Sequence, residues 1–165
     1  MLPTSSSAAR IRLATKGDLD AICRVEDDSF SDPYPRTLLS RLLREHAKNF
    51  FVAEIPSGKV VGYCVCVRDG KVAHLISIGV LSEYRKRGAG AMLIEHLLAQ
   101  LGSTVRELWL EVNTHNDEAV RLYERFGFEK VMVIENYYSD GSSALRMQLP
   151  LDQRGRQSAV SRRSR

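Results

Sequence analysis

Arg85-Lys86-Arg87-Gly88-Ala89-Gly90-Ala91 joins two segments of different period. Before it, Val72 to Val80 reads as a strand. After it, Gly88 to Leu101 carries Met92, Leu93, Leu97 and Leu98 at helical spacing and stops near Gly102. The first N–H groups of a helix have no partner within it, and the helix dipole places partial positive charge there. Three cations and two glycines at such a point have the composition and placement of a pyrophosphate cradle. A basic, glycine-containing turn can equally be a solvated helix start. Other nucleotide motifs fit worse: G-x-x-x-x-G-K-[ST] is absent, and G-x-G-x-x-G fails because Leu93 stands where its third glycine belongs.

Upstream of this loop the chain reads as helices and then strands. Ile11-Arg12-Leu13 is a short strand, and Lys16 to Phe30 is a helix with Leu19, Ile22 and Val25 on one face. The prolines of Ser31-Asp32-Pro33-Tyr34-Pro35 make that stretch a loop, and Thr37 is the expected N-cap of a helix burying Leu38, Leu39, Leu42 and Leu43. Phe50 to Ile55, Val60 to Val67 and Val72 to Val80 then form an antiparallel meander. Asp69-Gly70 marks the second hairpin. Downstream, Glu107 to Val112 is a strand and Asn116 to Phe126 a helix ended by Gly127. Phe128 to Ile134 and Ala144 to Leu149 close around Ser139-Asp140-Gly141. The fold class is α/β with a mixed sheet, antiparallel first and then a crossover unit.

A length of 165 residues suits one domain, expected over 10–150 between a disordered segment at 1–9 and a tail at 151–165. No apolar run is long enough to cross a bilayer, and the Ser-rich start lacks the pattern of a secretory signal. Cys23, Cys64 and Cys66 are odd in number and wrongly spaced for zinc. They read as small core residues in a reducing, cytoplasmic setting, with no metal. The net charge is +4, and residues 151–165 hold five arginines and one aspartate, also +4, so the other 150 residues sum to zero. Such a tail is a solubilising extension or a loose attractor of RNA, including the ribosome. The neutral remainder argues against sequence-specific nucleic-acid binding.

The second chemical segment is Leu108-Trp109-Leu110-Glu111-Val112-Asn113-Thr114-His115-Asn116, followed by Ala119 and Tyr123. Asn116 and Tyr123 are seven residues apart, two helical turns, and so share a face. Glu111 falls near the C-terminal end of a strand, where α/β sites gather. A carboxylate and a phenol there are candidates for base and acid; a solvated glutamate and a half-buried core tyrosine fit the same spacing.

Together the two segments resemble the GNAT acetyltransferase superfamily, over about residues 10–150. The R-x-x-G-x-G loop, between its strand and helix, resembles that family's coenzyme A signature. The run L-W-L-E-V-x-x-x-N-x-x-A-x-x-L-Y-x-x-x-G-F is similar to the RimI-like and archaeal N-terminal acetyltransferase subgroup, as is Asn136-Tyr137-Tyr138-Ser139-Asp140-Gly141.

The resemblance implies a GNAT fold, a mixed sheet flanked by about four helices, and acetyl transfer from acetyl-CoA to the α-amino group of protein N-termini. It implies that Ile78 and Val80 pair with the pantetheine arm through their backbone, with a Val80 N–H toward the oxyanion. Arg85, Lys86, Arg87, Gly88, Ala89, Gly90 and Ala91 are expected to hold the pyrophosphate, and Asn116 to contact pantetheine or water. Glu111 matches the general base and Tyr123 the acid for the departing thiolate. His74 matches a histidine that assists proton removal; by position alone it is an ordinary strand histidine. Asp32, Tyr34, Tyr137 and Tyr138 are expected to line the peptide cleft. Two departures bear on residue preference: Phe30-Ser31-Asp32-Pro33-Tyr34 stands where relatives have Leu-Pro-Glu-Asn-Tyr, and Ser142-Ser143 where they have Glu-Asp. The alternatives are a GNAT enzyme acting on lysine or a small amine, and a non-catalytic acyl-CoA-binding or RNA-associated module. Partner subunits and oligomeric state are not legible in the sequence.

Overall fold

The computed structural model describes residues 8–151. The expectations for the first seven residues and for the arginine-rich segment from 152 onward lie outside the described residues. Leu151, expected to open the tail, belongs to the fold: it is 9% exposed and its N–H donates to the Arg106 carbonyl at 2.7 Å.

The described residues divide into two compact units, 8–65 with 77–100, and 66–76 with 101–151. The first unit holds β1 (Arg10–Leu13), α1 (Leu19–Ser29), α2 (Arg36–Glu45) and β2 (Phe50–Glu54). It also holds the start of β3 (Val60–Asp69), the end of β4 (Val72–Val80) and nearly all of α3 (Ala89–Leu101). Strands β1 and β2 pair antiparallel with Arg10 opposite Glu54, and β2 and β3 antiparallel with Phe50 opposite Val65. Every residue of β2 but the last is buried, as expected of a strand covered on both faces. Ile22 and Val25 of α1, Leu39, Leu42 and Leu43 of α2, and Leu93, Ile94 and Leu97 of α3 are buried with it.

The second unit holds the rest of β3 and β4, then β5 (Glu107–Asn113), α4 (Asp117–Arg125), β6 (Glu129–Ile134) and β7 (Ala144–Pro150). Strands β4 and β5 are parallel over Val72↔Glu107, Ala73↔Leu108 and His74↔Trp109. Strand β7 then pairs antiparallel with both β5 and β6. Strict alternation along β5 sends Leu108, Leu110 and Val112 into the core and leaves Trp109 and Glu111 on the other face. Among the described residues seven strands pair in the order β1-β2-β3-β4-β5-β7-β6, with β4 and β5 parallel. The mixed sheet and the four α-helices match the expected fold class.

Several boundaries differ from the sequence reading. The helix expected from Lys16 begins as a 3-10 turn at Lys16–Asp18 and becomes α-helical at Leu19. Asp18 holds this entry: its carboxylate accepts the Thr15 N–H at 2.7 Å and two Arg12 N–H groups at 2.8 and 2.9 Å. Thr37 does not cap α2. Pro35 is the N-cap, with φ −66° and ψ 150°, and its carbonyl accepts the Leu38 and Leu39 N–H groups. A locked extended φ just before the first turn lets the helix start ahead of the threonine. Leu38 is half-buried rather than core. Cys64 and Cys66 are buried, but Cys23 is half-exposed, its sulfur 3.9 Å from an Arg36 guanidinium nitrogen.

Candidate active site

In the first unit, β4 ends at Val80 and leads into a 3-10 turn, Ser82–Tyr84. Asp28 of α1 caps that turn, accepting the Ser82 N–H at 2.6 Å. The cationic loop follows. Lys86 has φ 61° and Gly88 φ 86°, so left-handed residues alternate with ordinary ones just before α3. Such alternation turns successive N–H groups toward one concavity, the geometry that binds anions. Gly88 is required by this conformation rather than by space, since a Cβ there meets nothing within 4 Å. The loop fits a pyrophosphate. Its cations are not equivalent: Arg85 donates from Nε to the Val80 carbonyl at 2.9 Å, and Arg87 lies over the Tyr84 ring at 5.3 Å. Arg85, Lys86, Arg87 and Gly88 are exposed, Gly90 and Ala91 half-buried, and Ala89 is buried in the first turn of α3. Ile78 and Val80 alternate with buried Ser77 and Gly79 along β4. The Val80 carbonyl is already engaged by Arg85 and by Ser29 Oγ at 3.4 Å.

The same unit carries the Pro-rich loop. Asp32 is exposed and Tyr34 half-buried. The Tyr34 N–H donates at 3.0 Å to Oε1 of Glu26, a carboxylate that is 2% exposed. Oε2 of Glu26 accepts the Tyr63 hydroxyl in a short hydrogen bond and the Ser77 hydroxyl at 3.2 Å. Burial raises the Glu26 carboxyl above its ordinary range, against these donors, which lower it. Glu26 was missed in the sequence reading. Its signal was there: Ile22, Val25 and Glu26 follow the i, i+3, i+4 spacing of a buried helical stripe, and a carboxylate on such a stripe calls for partners.

In the second unit, register brings the expected proton acceptors together. His74 lies opposite Trp109, so Glu111, two residues on, shares that face. His74 Nε2 is 2.7 Å from Glu111 Oε2, with side-chain exposures of 23% and 14%. The His74 ring stacks on the Trp109 indole with centroids 3.5 Å apart and planes 7° apart. Because β5 lies between β4 and β7, Arg146 reaches the opposite face of the indole, 4.0 Å from its centroid. Arg146 is also the register partner of Glu111. Neither Trp109 nor Arg146 was singled out from the sequence.

The remaining expected residues of this unit divide. Tyr123, on α4, is 6% exposed and packs its ring against Phe128 at 5.6 Å. Asn116 is not inside that helix but is its N-cap, Oδ1 accepting the Ala119 N–H at 3.2 Å. Tyr137 and Tyr138 pack edge to face at 4.9 Å, with Tyr137 44% exposed. Its phenol is pushed up by burial and then by the negative charge of Glu111, which places the two within electrostatic reach.

The acetyltransferase (GNAT) family pattern matches residues 19–128, a span holding both the cationic loop and the Glu111–Tyr123 segment. This chain belongs to the GNAT family. Among its relatives is an N-alpha-acetyltransferase of Sulfolobus acidocaldarius, 35% identical over 86% of this GNAT chain and 92% of the relative. Another is the ribosomal protein bS18-alanine N-acetyltransferase of Escherichia coli K12, 32% identical over 81% and 92%. The crystal structure of Ard1 from Thermoplasma volcanium superposes with a TM-score of 0.81 at 31% identity, covering 86% of this chain and 96% of that one.

The Ser142-Ser143 departure has a structural role in this GNAT protein. Ser142 donates its N–H and hydroxyl to Asp140 and accepts from Asn113 Nδ2 at 2.9 Å, while the Ser143 carbonyl accepts the Thr114 N–H at 3.0 Å. The hairpin bearing the tyrosine pair is thereby tied to the end of β5. Among the described residues no group of three His, Cys, Asp or Glu could hold a metal ion, and no helix is long and apolar enough to cross a membrane.

Proposed function

We propose that this GNAT protein transfers an acetyl group from acetyl-CoA to the α-amino group of protein N-termini, without a covalent enzyme intermediate. The observation that carries the reading is the His74–Glu111 contact at 2.7 Å, a ready proton acceptor on the half-exposed face of β4 and β5. Acetyl-CoA supplies the activated carbonyl. The cationic loop holds its pyrophosphate, and the Ile78 and Val80 backbone its pantetheine arm. Glu111, with His74, accepts the proton lost by the attacking amine. The amine nitrogen bonds the carbonyl carbon, the carbon–sulfur bond breaks, and the thiolate takes a proton from Tyr123. Asp32, Tyr34, Tyr137 and Tyr138 receive the peptide end.

The demand on that base favours an α-amine over a lysine. An α-amino group with pKa about 7.7–8.0 is neutral in roughly one molecule in six to eleven at pH 7; a lysine, near 10.4, in about four per ten thousand. A single carboxylate–imidazole pair suffices for the first. The relatives named as N-terminal acetyltransferases support the same choice. Three cysteines, an odd number with none in a metal motif, support a reducing compartment such as the cytoplasm. The charge of the segment from 152 onward supports weak attraction to ribosomal RNA near emerging N-termini.

Incubation with acetyl-CoA and matched peptides, followed by fragmentation mass spectrometry, tests the reading. The set has free N-termini beginning Ser, Ala, Met-Leu and Met-Glu, and one blocked peptide with a free lysine. Acetyl found at the α-amine is the expected result. Acetyl on lysine alone overturns the substrate while leaving the family intact, and no transfer to any peptide points to a small amine or a binding module.

A further inference from the structure

Glu26 is a buried carboxylate whose partners are all neutral. Three donors converge on it, from the Tyr34 backbone, Tyr63 on β3 and Ser77 on β4, and Tyr63 and Ser77 are themselves 2.9 Å apart. The charge that acts on it most is another acid, Asp27. For stability alone this is a poor arrangement, since an apolar side chain of similar volume does as well or better at such a position. Its value lies in what it joins.

Pro33, Tyr34 and Pro35 are consecutive, and proline has no N–H. Tyr34 therefore owns the single backbone donor of that tripeptide, and the donor is spent on Glu26. Tyr34 also precedes a proline, which restricts it to extended conformations. The stretch is a stiff rod whose one backbone donor is fixed on Glu26. At the other end of the network, Ser77 directly precedes Ile78 on β4.

We infer that Glu26 is a positioning residue for acceptor recognition: it pins Tyr34 to β4 beside Ile78, so that peptide-binding loop and acetyl-CoA-binding strand are set as one piece. The inference rests on the reading that the Asp32–Tyr34 loop receives the substrate amine. Glu26 itself touches neither substrate.

The test compares E26Q, E26L and the double variant Y63F/S77A with the wild type. Glutamine keeps an oxygen for the Tyr34 N–H and offers its NH2 to the two hydroxyl oxygens, so E26Q is expected within about threefold of wild type. E26L is expected to raise peptide KM about tenfold or more while changing the acetyl-CoA KM less than twofold, and to flatten the ranking of first residues. Hydrogen exchange of the peptide covering 30–36 is expected to quicken in E26L while the core helices stay protected. A folded E26L with unchanged peptide KM, ranking and exchange overturns the inference. Should E26L fail to fold, Y63F/S77A decides: it removes both hydroxyl donors, and an unchanged peptide KM there overturns it equally. If the wild type acetylates some other amine, the N-terminal reading fails first, and the same KM comparison with that amine still judges Glu26.

Discussion

His74 and Glu111 come from strands of opposite ends of a crossover, yet their side chains meet at 2.7 Å because β4 and β5 pair in parallel with His74 opposite Trp109. A one-residue slip would turn Glu111 into the core face occupied by Leu110 and Val112. The dyad is therefore a product of register. E111Q preserves shape while removing the proposed base, and is expected to lower kcat by about 10²–10³. The deficit should shrink on raising pH from 7 to 9, because the neutral fraction of an α-amine grows about six- to tenfold over that range. A lysine substrate would gain roughly a hundredfold instead. Stopped assays of E111Q across this range, with a Ser-initiated peptide, read both numbers.

Trp109 holds the dyad from the side. Its indole lies between the His74 ring and the Arg146 guanidinium, contacts worth about 0.5–1.5 and 0.5–1 kcal/mol respectively. W109L is expected to destabilise the protein by about 1–3 kcal/mol and to lower kcat several-fold. W109F retains an aromatic face and is expected to recover most of kcat. Urea unfolding alongside steady-state kinetics separates the two effects; equal kcat in W109L and wild type would mean His74 is oriented by Glu111 alone.

These contacts mark where the sequence stopped being legible. The strand–loop–helix around Arg85–Ala91 and the Asp69-Gly70 hairpin were readable because local chemistry dictates them; Gly70 indeed takes φ 59°. Tyr123 and Glu111 were reachable through a family pattern. The pairing of His74 with Glu111, and the placing of Arg146 beyond Trp109, depend on strand order, which no local spacing encodes. Glu26 sat in plain view on a buried stripe, but its partners Tyr63 and Ser77 lie 37 and 51 residues away. The misplaced α2 cap has a local cause: Thr37 is a good N-cap in isolation, and two prolines upstream outvoted it.

The cysteines should separate cleanly by reactivity. Burial pushes the Cys66 thiol up to about 12, so near pH 8 its thiolate is about one part in ten thousand. Cys64 and Cys66 are both 0% exposed, whereas Cys23 is half-exposed. Titration of the native protein with a disulfide reagent at pH 8 is expected to count one thiol promptly and three after denaturation. Peptide mapping should find the early label on Cys23.

Gly79 should tolerate no side chain. It lies between Ile78 and Val80, and a Cβ built there falls 2.8 Å from Ser29 Oγ, 3.2 Å from Ser29 Cβ and 3.2 Å from Val25 Cγ1. Helix α1 packs directly on the β4 backbone at this point. G79A is expected to cost about 1–3 kcal/mol and to raise the acetyl-CoA KM, since β4 must shift to relieve the contact. Adding S29A removes the shortest contact but not the one to Val25, so G79A/S29A should recover part of the loss. Chemical denaturation of the two variants gives the answer, and full stability in G79A would show that α1 moves freely.

Two buried carboxylates should bend the pH dependence of stability in opposite directions. Asp18 is held below its ordinary value of 3.8, first by hydrogen bonds from the Arg12 guanidinium and also by the Thr15 N–H. The unfolded chain binds the proton more tightly, so the stability due to Asp18 is whole above pH 3.8 and fades as pH falls through the lower folded value. Glu26 is held above its ordinary value of 4.5 by burial. Here the folded protein binds the proton more tightly, so its contribution is most favourable below pH 4.5 and declines as pH rises from there through the folded value, then levels off. Urea midpoints measured from pH 3 to 8 should show D18N losing the acid-side slope and E26Q losing the decline above 4.5. A wild-type curve parallel to that of E26Q across the upper window would mean that the Tyr63, Ser77 and Tyr34 donors offset the burial of the carboxylate in full.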